Sequence, residues 1–290
     1  MDAKEPNTNI PIENSIAPFA KDVDVWLVDI WGVMHNGVAP FAGAVGACQE
    51  FRGSGGTVVL LSNAPRPGDS VAIALDKIGV SRDAWDAIVT SGDAARGLIA
   101  QLGEIPIYHI GPERDVPLMD GLGVTRVAPG RAEAIVCSGL FDDTIETPQM
   151  YIQPLEKLNS AKLAMVCANP DLRVERGGKI IYCAGAIAAE YEKLGGKVTY
   201  AGKPYFPIYQ RAFEVIKQLR GVDVDLDRVV AIGDGVLTDI KGAANAGIRS
   251  VYIASAIHAD DPLNLDAKEL QRLFGDFDFA PSAAMTGLRW

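Results

Sequence analysis

A handful of side chains, widely separated along the chain, carry types and spacings that could do chemistry. The segment WLVDIWGVMHNG places Asp29 directly after a short apolar run, with Gly32 three positions later, where a tight turn exposes the carboxylate. A carboxylate held there is a competent nucleophile toward phosphorus or activated carbon, because covalent attack splits one hard displacement into two easier ones. The plainer reading is an aspartate that caps a turn. In VVAIGDGVLTDIKGAANAG, Asp234 and Asp239 flank a glycine turn that leads into a helix. With Asp29 on a neighbouring strand they make the hard oxygen set that Mg²⁺ prefers, or else one of the pair caps the helix. Ser62 and Asn63, after TVVLL, offer a hydroxyl and an amide that can donate to an anion. Lys203, fixed between Gly202 and Pro204, offers an ammonium that would otherwise be solvated.

The elements that must position these groups are legible as apolar runs. Residues 23–28, 57–61, 228–232 and 250–254 read as strands, three of them ending in polar residues, with helical stretches between. Continuous apolar runs alternating with helices predict a doubly wound parallel α/β sheet, which binds ligands at the carboxyl ends of its strands. The middle of the chain has its own rhythm: helices over 69–78, 93–102 and 152–160, strands over 106–110, 134–137 and 163–167. This predicts a second α/β unit inserted into the first. Pro65-Arg66-Pro67 reads as the exit, and VTYAGK as the return. The expected organisation is a discontinuous core domain of residues 1–66 and 200–290, with an inserted domain of residues 67–199.

Charge and composition exclude several functions. Lys and Arg total 27 against 37 Asp plus Glu, and the net charge of −10 opposes nonspecific attachment to nucleic acid or anionic membrane surfaces. A small anion can still be held if a lysine, a bound cation or backbone N–H groups supply the positive field locally. Cys48, Cys137, Cys167 and Cys183 are far apart with no C-x-x-C pair, which predicts buried reduced thiols and a cytoplasmic setting. The first twenty residues have no basic segment followed by an apolar run, so no signal peptide is expected, and no stretch is long enough to span a membrane. Trp26 and Trp85 read as packing residues, and His109 and His258 show no metal-ligand spacing. A helix is expected over 267–274.

Asp29-Ile30-Trp31-Gly32-Val33, Ser62-Asn63, Gly202-Lys203-Pro204, and Gly233-Asp234-Gly235 through Asp239 occur in the order of the four motifs of the haloacid dehalogenase-like (HAD) hydrolases, which the chain resembles over nearly its whole length. The large insert is similar to the cap of the class IIA subfamily, which contains pyridoxal phosphate, nitrophenyl phosphate and nucleotide monophosphate phosphatases. Within it, Ile88 to Asp93 and Ala168-Asn169-Pro170-Asp171 resemble cap signatures of that subfamily. The resemblance implies a Rossmann-like core with an α/β cap and Mg²⁺-dependent hydrolysis of a small phosphorylated metabolite. It implies that Asp29 attacks phosphorus to form an aspartyl phosphate, that Ser62 and Lys203 bind the phosphoryl oxygens, and that Asp29, Asp234, Asp239 and the Trp31 carbonyl hold the metal. Asn63 and Asp171 are candidates for substrate contact, and Arg66 is placed on the hinge. A homodimer is a further expectation carried by the resemblance alone.

One position departs from the family pattern. Phosphatases of the family usually carry a second aspartate two residues after the nucleophile, which protonates the leaving group and then activates water; this chain has Trp31. An indole has one N–H donor and no usable ionisation, so it performs neither transfer. His35, on the nearby His-Asn-Gly loop, is the candidate substitute and a candidate for substrate contact, or else only a solvated or hydrogen-bonding turn residue. The alternatives are a weakened protein that binds a phosphorylated ligand, and a dehalogenase-type hydrolase, whose family members carry Tyr at this position and expel a halide that needs no proton.

Overall fold

The structure is a computed structural model that describes residues 10–176, 179–254 and 265–290, the side chains at 175 and 176 excepted. His258 and the first nine residues lie outside the described residues. In chain order the first elements are β1 (Val25–Asp29), α1 (Ala42–Gly53), β2 (Thr57–Ser62), α2 (Gly68–Ile78) and β3 (Ala87–Thr90). The middle of the chain forms α3 (Ser91–Ala100), β4 (Pro106–Ile110), β5 (Thr125–Arg126), β6 (Ala134–Cys137), α4 (Ile152–Ser160), β7 (Ala164–Cys167), β8 (Arg173–Arg176), β9 (Lys179–Tyr182), α5 (Ala184–Lys193) and β10 (Lys197–Tyr200). The chain ends with α6 (Phe206–Arg220), β11 (Val229–Gly233), α7 (Lys241–Ala246), β12 (Arg249–Ile253), α8 (Ala267–Phe274) and β13 (Ala283–Met285).

These elements divide into two compact units. The first holds the described residues up to Ser62, Val71–Val89 and those from Ala212 onward; the second holds Asn63–Ser70 and Thr90–Arg211. The expected boundary at residue 67 is therefore displaced. After a short excursion through 63–70 the chain returns to the first unit, because β3 takes the place beside β2 in the first sheet. At the other end the second unit runs on to Arg211, past the expected 199, and takes Lys203 with it.

In the first unit a six-stranded sheet has the order β13-β12-β11-β1-β2-β3. β1 pairs in parallel with both β11 and β2, with Val28 opposite Ile232 and Asp29 opposite Leu61. Every residue of β1 and β11 is buried, as expected of central parallel strands covered on both faces. From β1 the chain proceeds outward through β2 to β3, and from β11 it proceeds the other way to β12 and β13, so the strand order reverses between β1 and β11. That reversal leaves a crevice at their carboxyl ends. Beneath it, Trp26 and Phe51 stack at 4.0 Å with ring planes 4° apart, both fully buried.

The second unit has its own parallel sheet, ordered β10-β7-β6-β4-β5, with the antiparallel hairpin β8-β9 beside it in sequence. Its core gathers Ile135, Leu155, Met165, Ile187 and Tyr191. The Tyr191 hydroxyl donates to the Leu163 carbonyl at 2.6 Å. All four cysteines are buried, as expected, and burial pushes the Cys48 and Cys137 thiols up to about 12, which makes them inert. No helix among the described residues is long and apolar enough to cross a membrane.

The Trp26–Phe51 stack should dominate the stability of the first unit. Phe51→Ala should cost about 3–5 kcal/mol, read as a lower urea midpoint, and Phe51→Leu markedly less.

Candidate active site

The carboxyl ends of β1 and β11 bring three of the expected residues together. Asp29, Asp234 and Asp239 each present a carboxylate oxygen such that all three oxygens lie within 4.8 Å of one another, and each residue is more than nine-tenths buried. The local backbone explains how three acids converge. Gly32, at φ +87°, lies so close to Asp234 that any side chain there would run into the carboxylate. Beyond β11 a single π-helical turn, Val236–Ile240, precedes α7, with Ile240 N–H donating to the Gly235 carbonyl at 3.1 Å. That wider turn carries Asp239 inward. One of its oxygens, Oδ2, accepts from the Gly235 N–H and the Thr238 hydroxyl, both at 3.1 Å. Asp239 is thus fixed within the turn and is not the cap residue of α7.

Three carboxylates this close and this poorly solvated repel one another strongly. The donor set is oxygen only, which suits a hard divalent cation and not a thiolate- or imidazole-seeking metal. On this geometry the three aspartates fit the expected metal site.

The loop after β1 is held by its own main chain. Met34 and His35 N–H groups donate to the Ile30 carbonyl at 2.9 and 3.3 Å, and Gly32 N–H donates to the His35 carbonyl at 3.0 Å. The Trp31 ring lies over Gly37, at φ +87°, where a side chain would strike the indole, and meets the His35 ring edge-on at 5.4 Å. His35 is 5% exposed, and burial holds its imidazole below the ordinary histidine value. Its Nδ1 accepts the Gly37 N–H at 2.8 Å, so in the neutral ring the proton sits on Nε2 and no lone pair remains to take another. The expected role of His35 as replacement acid and base finds no support in this geometry. The ring instead pins the loop that carries Trp31.

In the second unit Asn63, Asp171 and Lys203 form one hydrogen-bonded group. Asn63 Oδ1 accepts the Lys203 N–H at 2.8 Å, while its Nδ2 donates to the Lys203 carbonyl at 3.1 Å and to Asp171 Oδ1 at 2.8 Å. Both amide hydrogens of Asn63 are thus engaged within the protein, so Asn63 positions the Lys203 backbone and is not free to donate to a ligand. Asp171 is fixed from below as well, its N–H donating to Asn169 Oδ1 at 2.9 Å. Gly202 is obligatory, because a side chain would collide with Asn63, Pro170 and Ser91. Lys203 itself is 3% exposed.

A staple that the sequence did not disclose secures the segment after Asn63. Thr90 and Asp93 form a capping box at the start of α3. The Thr90 hydroxyl donates to the Arg66 carbonyl at 2.7 Å, and the Asp93 carboxylate accepts the Gly68 N–H. The Ile88 to Asp93 signature is therefore a fastening for residues 64–68. A Thr-x-x-Asp pattern ahead of an apolar run was the available signal. Ser62 closes β2 and is half-buried.

Fold and site define an α/β protein with an acidic centre, suited to a hard cation, at the switch point of its first sheet. A family described as haloacid dehalogenase-like hydrolase matches residues 26–125, and one described as HAD-hydrolase-like matches residues 200–278. A solved hydrolase of the haloacid dehalogenase-like family from Brucella suis 1330 is 40% identical and covers 95% of this chain and 99% of its own, with a TM-score of 0.82. A D-glycerol 3-phosphate phosphatase of Mycobacterium tuberculosis is 28% identical over 83% of this chain. The chain spans 65% of that relative's length. A glycerol phosphate phosphatase of the same organism, solved in complex with magnesium, is 25% identical, with a TM-score of 0.64, covering 81% of this chain and 68% of its own. The chain belongs to the haloacid dehalogenase-like hydrolase family.

A divalent cation should stabilise the first unit by linkage, by about 2.7 kcal/mol at a hundredfold excess over its dissociation constant. Thermal unfolding with Mg²⁺, Ca²⁺ and Mn²⁺ should show this rise in wild type and its loss in Asp234→Asn.

Proposed function

We propose that the protein hydrolyses a small phosphorylated metabolite through a phosphoryl group carried on Asp29. The observation that carries this reading is the convergence of Asp29, Asp234 and Asp239, buried at the strand-order reversal of the first sheet. The names of the relatives, which are phosphatases, support a phosphate ester as substrate.

An oxygen of Asp29 attacks phosphorus, the bond from phosphorus to the leaving oxygen breaks, and an aspartyl phosphate forms on the chain. Water then attacks that phosphorus, releasing inorganic phosphate and restoring the carboxylate. Ser62 and the Lys203 ammonium take the phosphoryl oxygens, and the Asn63 clamp keeps the Lys203 backbone from drifting. Asp29, Asp234 and Asp239, with the Trp31 carbonyl, would hold the divalent cation, which we assign as Mg²⁺. When bound, the cation supplies positive charge against the phosphoryl oxygens.

Proton transfer is where this chain differs from the usual pattern. Trp31 donates no proton to a leaving alkoxide, and His35 has its acceptor nitrogen occupied by the Gly37 N–H. The reaction therefore depends on leaving groups that depart unprotonated, such as aryl or acyl phosphates, and slows on alkyl phosphates. A second reading, a protein that binds a phosphorylated ligand with little turnover, is favoured by Trp31 alone.

The two readings separate in a leaving-group series. Turnover of acetyl and p-nitrophenyl phosphate should exceed that of alkyl phosphates by about 10²–10⁴-fold, the usual worth of general acid–base assistance, and Trp31→Asp should narrow that gap. Asp29→Asn should abolish turnover of all of them. If wild type is no faster than Asp29→Asn on every ester, the binding reading replaces the catalytic one. His35→Gln should change kcat by less than about tenfold and leave the limbs of the pH–rate profile in place, since no proton passes through the ring.

A further inference from the structure

The loop that follows β1 buries everything except one indole. From Val25 to His35 every residue but Trp31 is buried, while Trp31 is 41% exposed. An indole left in water forgoes more burial than almost any other side chain would, and the smaller apolar neighbours Ile30, Val33 and Met34 are all packed inside.

The exposed ring is nevertheless held in place. Gly37, at φ +87°, leaves the space that the benzo end of the indole occupies, since a Cβ there would lie 2.5 Å from Trp31 Cη2. The His35 imidazole meets the indole edge-on at 5.4 Å, and its own orientation is fixed by the Gly37 N–H, which donates to Nδ1 at 2.8 Å. The turn that carries Gly37 is closed in its turn by Asn36. Asn36 Oδ1 accepts the Val38 and Ala39 N–H groups at 3.0 and 2.9 Å, and the Asn36 N–H donates to the Ala39 carbonyl at 3.3 Å. A ring already fixed by its surroundings loses little freedom when a ligand covers it, which is what a stacking surface requires.

Its place and its chemistry specify the ligand. Trp31 lies two residues past Asp29, beside the Gly32 backbone that approaches Asp234. An indole face accepts a planar aromatic ring or a cationic head. The leaving group decides between them. A choline-type alcohol departs as an alkoxide that needs a proton; Trp31 supplies none, and His35 has its acceptor nitrogen occupied. A phenolate departs without one.

We infer that the Trp31 indole is a specificity surface that stacks on the ring of an aryl phosphate, the phosphate ester of a phenol. The inference rests on the phosphatase reading of the same site and narrows it: among esters that leave unprotonated, the ring selects aryl over acyl.

The test reads binding to full-length protein with Mg²⁺ by calorimetry, using phosphonates, which have no ester bond to hydrolyse. Benzylphosphonate replaces the ester oxygen of phenyl phosphate by a methylene. Cyclohexylmethylphosphonate has similar bulk and no π face, and the phosphonate analogue of phosphocholine supplies the cationic head. Wild type should bind the benzyl compound roughly three- to tenfold more tightly than the cyclohexyl one, the usual worth of an aromatic pair beyond its buried area. Trp31→Leu should bring the two to about parity, and Trp31→Phe, which keeps an aromatic face, should retain most of the preference. A cation-induced rise in melting temperature retained in each variant shows that the three-aspartate centre is intact. Equal wild-type affinity for the benzyl and cyclohexyl compounds overturns the inference and leaves the phosphatase reading standing, as does a preference unchanged in Trp31→Leu or tighter binding of the choline analogue. If none of the three phosphonates binds, the phosphate reading of the site fails and the inference falls with it.

Discussion

The mutual repulsion of Asp29, Asp234 and Asp239 is the constraint on which the first unit depends. Burying three carboxylates within 4.8 Å of one another costs a fold stability unless positive charge or hydrogen-bond donors offset them. The surrounding sequence is organised to hold that arrangement: fully buried parallel strands fix the ends of β1 and β11, a left-handed glycine lets one strand end approach the other, and a π-helical turn brings in the third acid.

The acidity of the chain as a whole fits this arrangement. A net charge of −10 gives no general attraction for phosphate, so recognition has to be local. The groups able to supply it are few and firmly held. Lys203 is buried and its backbone clamped by Asn63, whose amide is consumed in the process. Two of the residues expected to touch substrate have hydrogen-bonding atoms engaged within the protein. Asn63 has its amide committed to the Lys203 backbone and the Asp171 carboxylate, and His35 has its Nδ1 committed to the Gly37 N–H.

Much of this was legible in the sequence, for physical reasons that differ from element to element. The central strands β1, β2, β11 and β12 were visible because strands buried on both faces must be continuously apolar, and α4 and α8 matched residue for residue. The three converging acids were visible because strand ends followed by glycine turns are where such sheets expose function. The path of 71–89 was not visible: β3 has four residues, and nothing in its composition says which of two sheets it joins. Helix α5 was missed, since an alanine-rich segment carries a weak amphipathic pattern. The partners of Asn63 lie 108 and 140 residues away in sequence, and no local pattern reports contacts of that span.

The central claim is that Asp29 carries the phosphoryl group, and it is tested most directly by trapping that group. Wild-type protein is mixed with acetyl phosphate and a divalent cation, quenched, treated with borohydride and analysed by peptide mass spectrometry. The account predicts an acid-stable, base-labile phosphoryl adduct on the peptide containing Asp29, and conversion of that residue to homoserine by the reductant. Turnover of acetyl phosphate with no modification at position 29, or with the adduct on another residue, would contradict it.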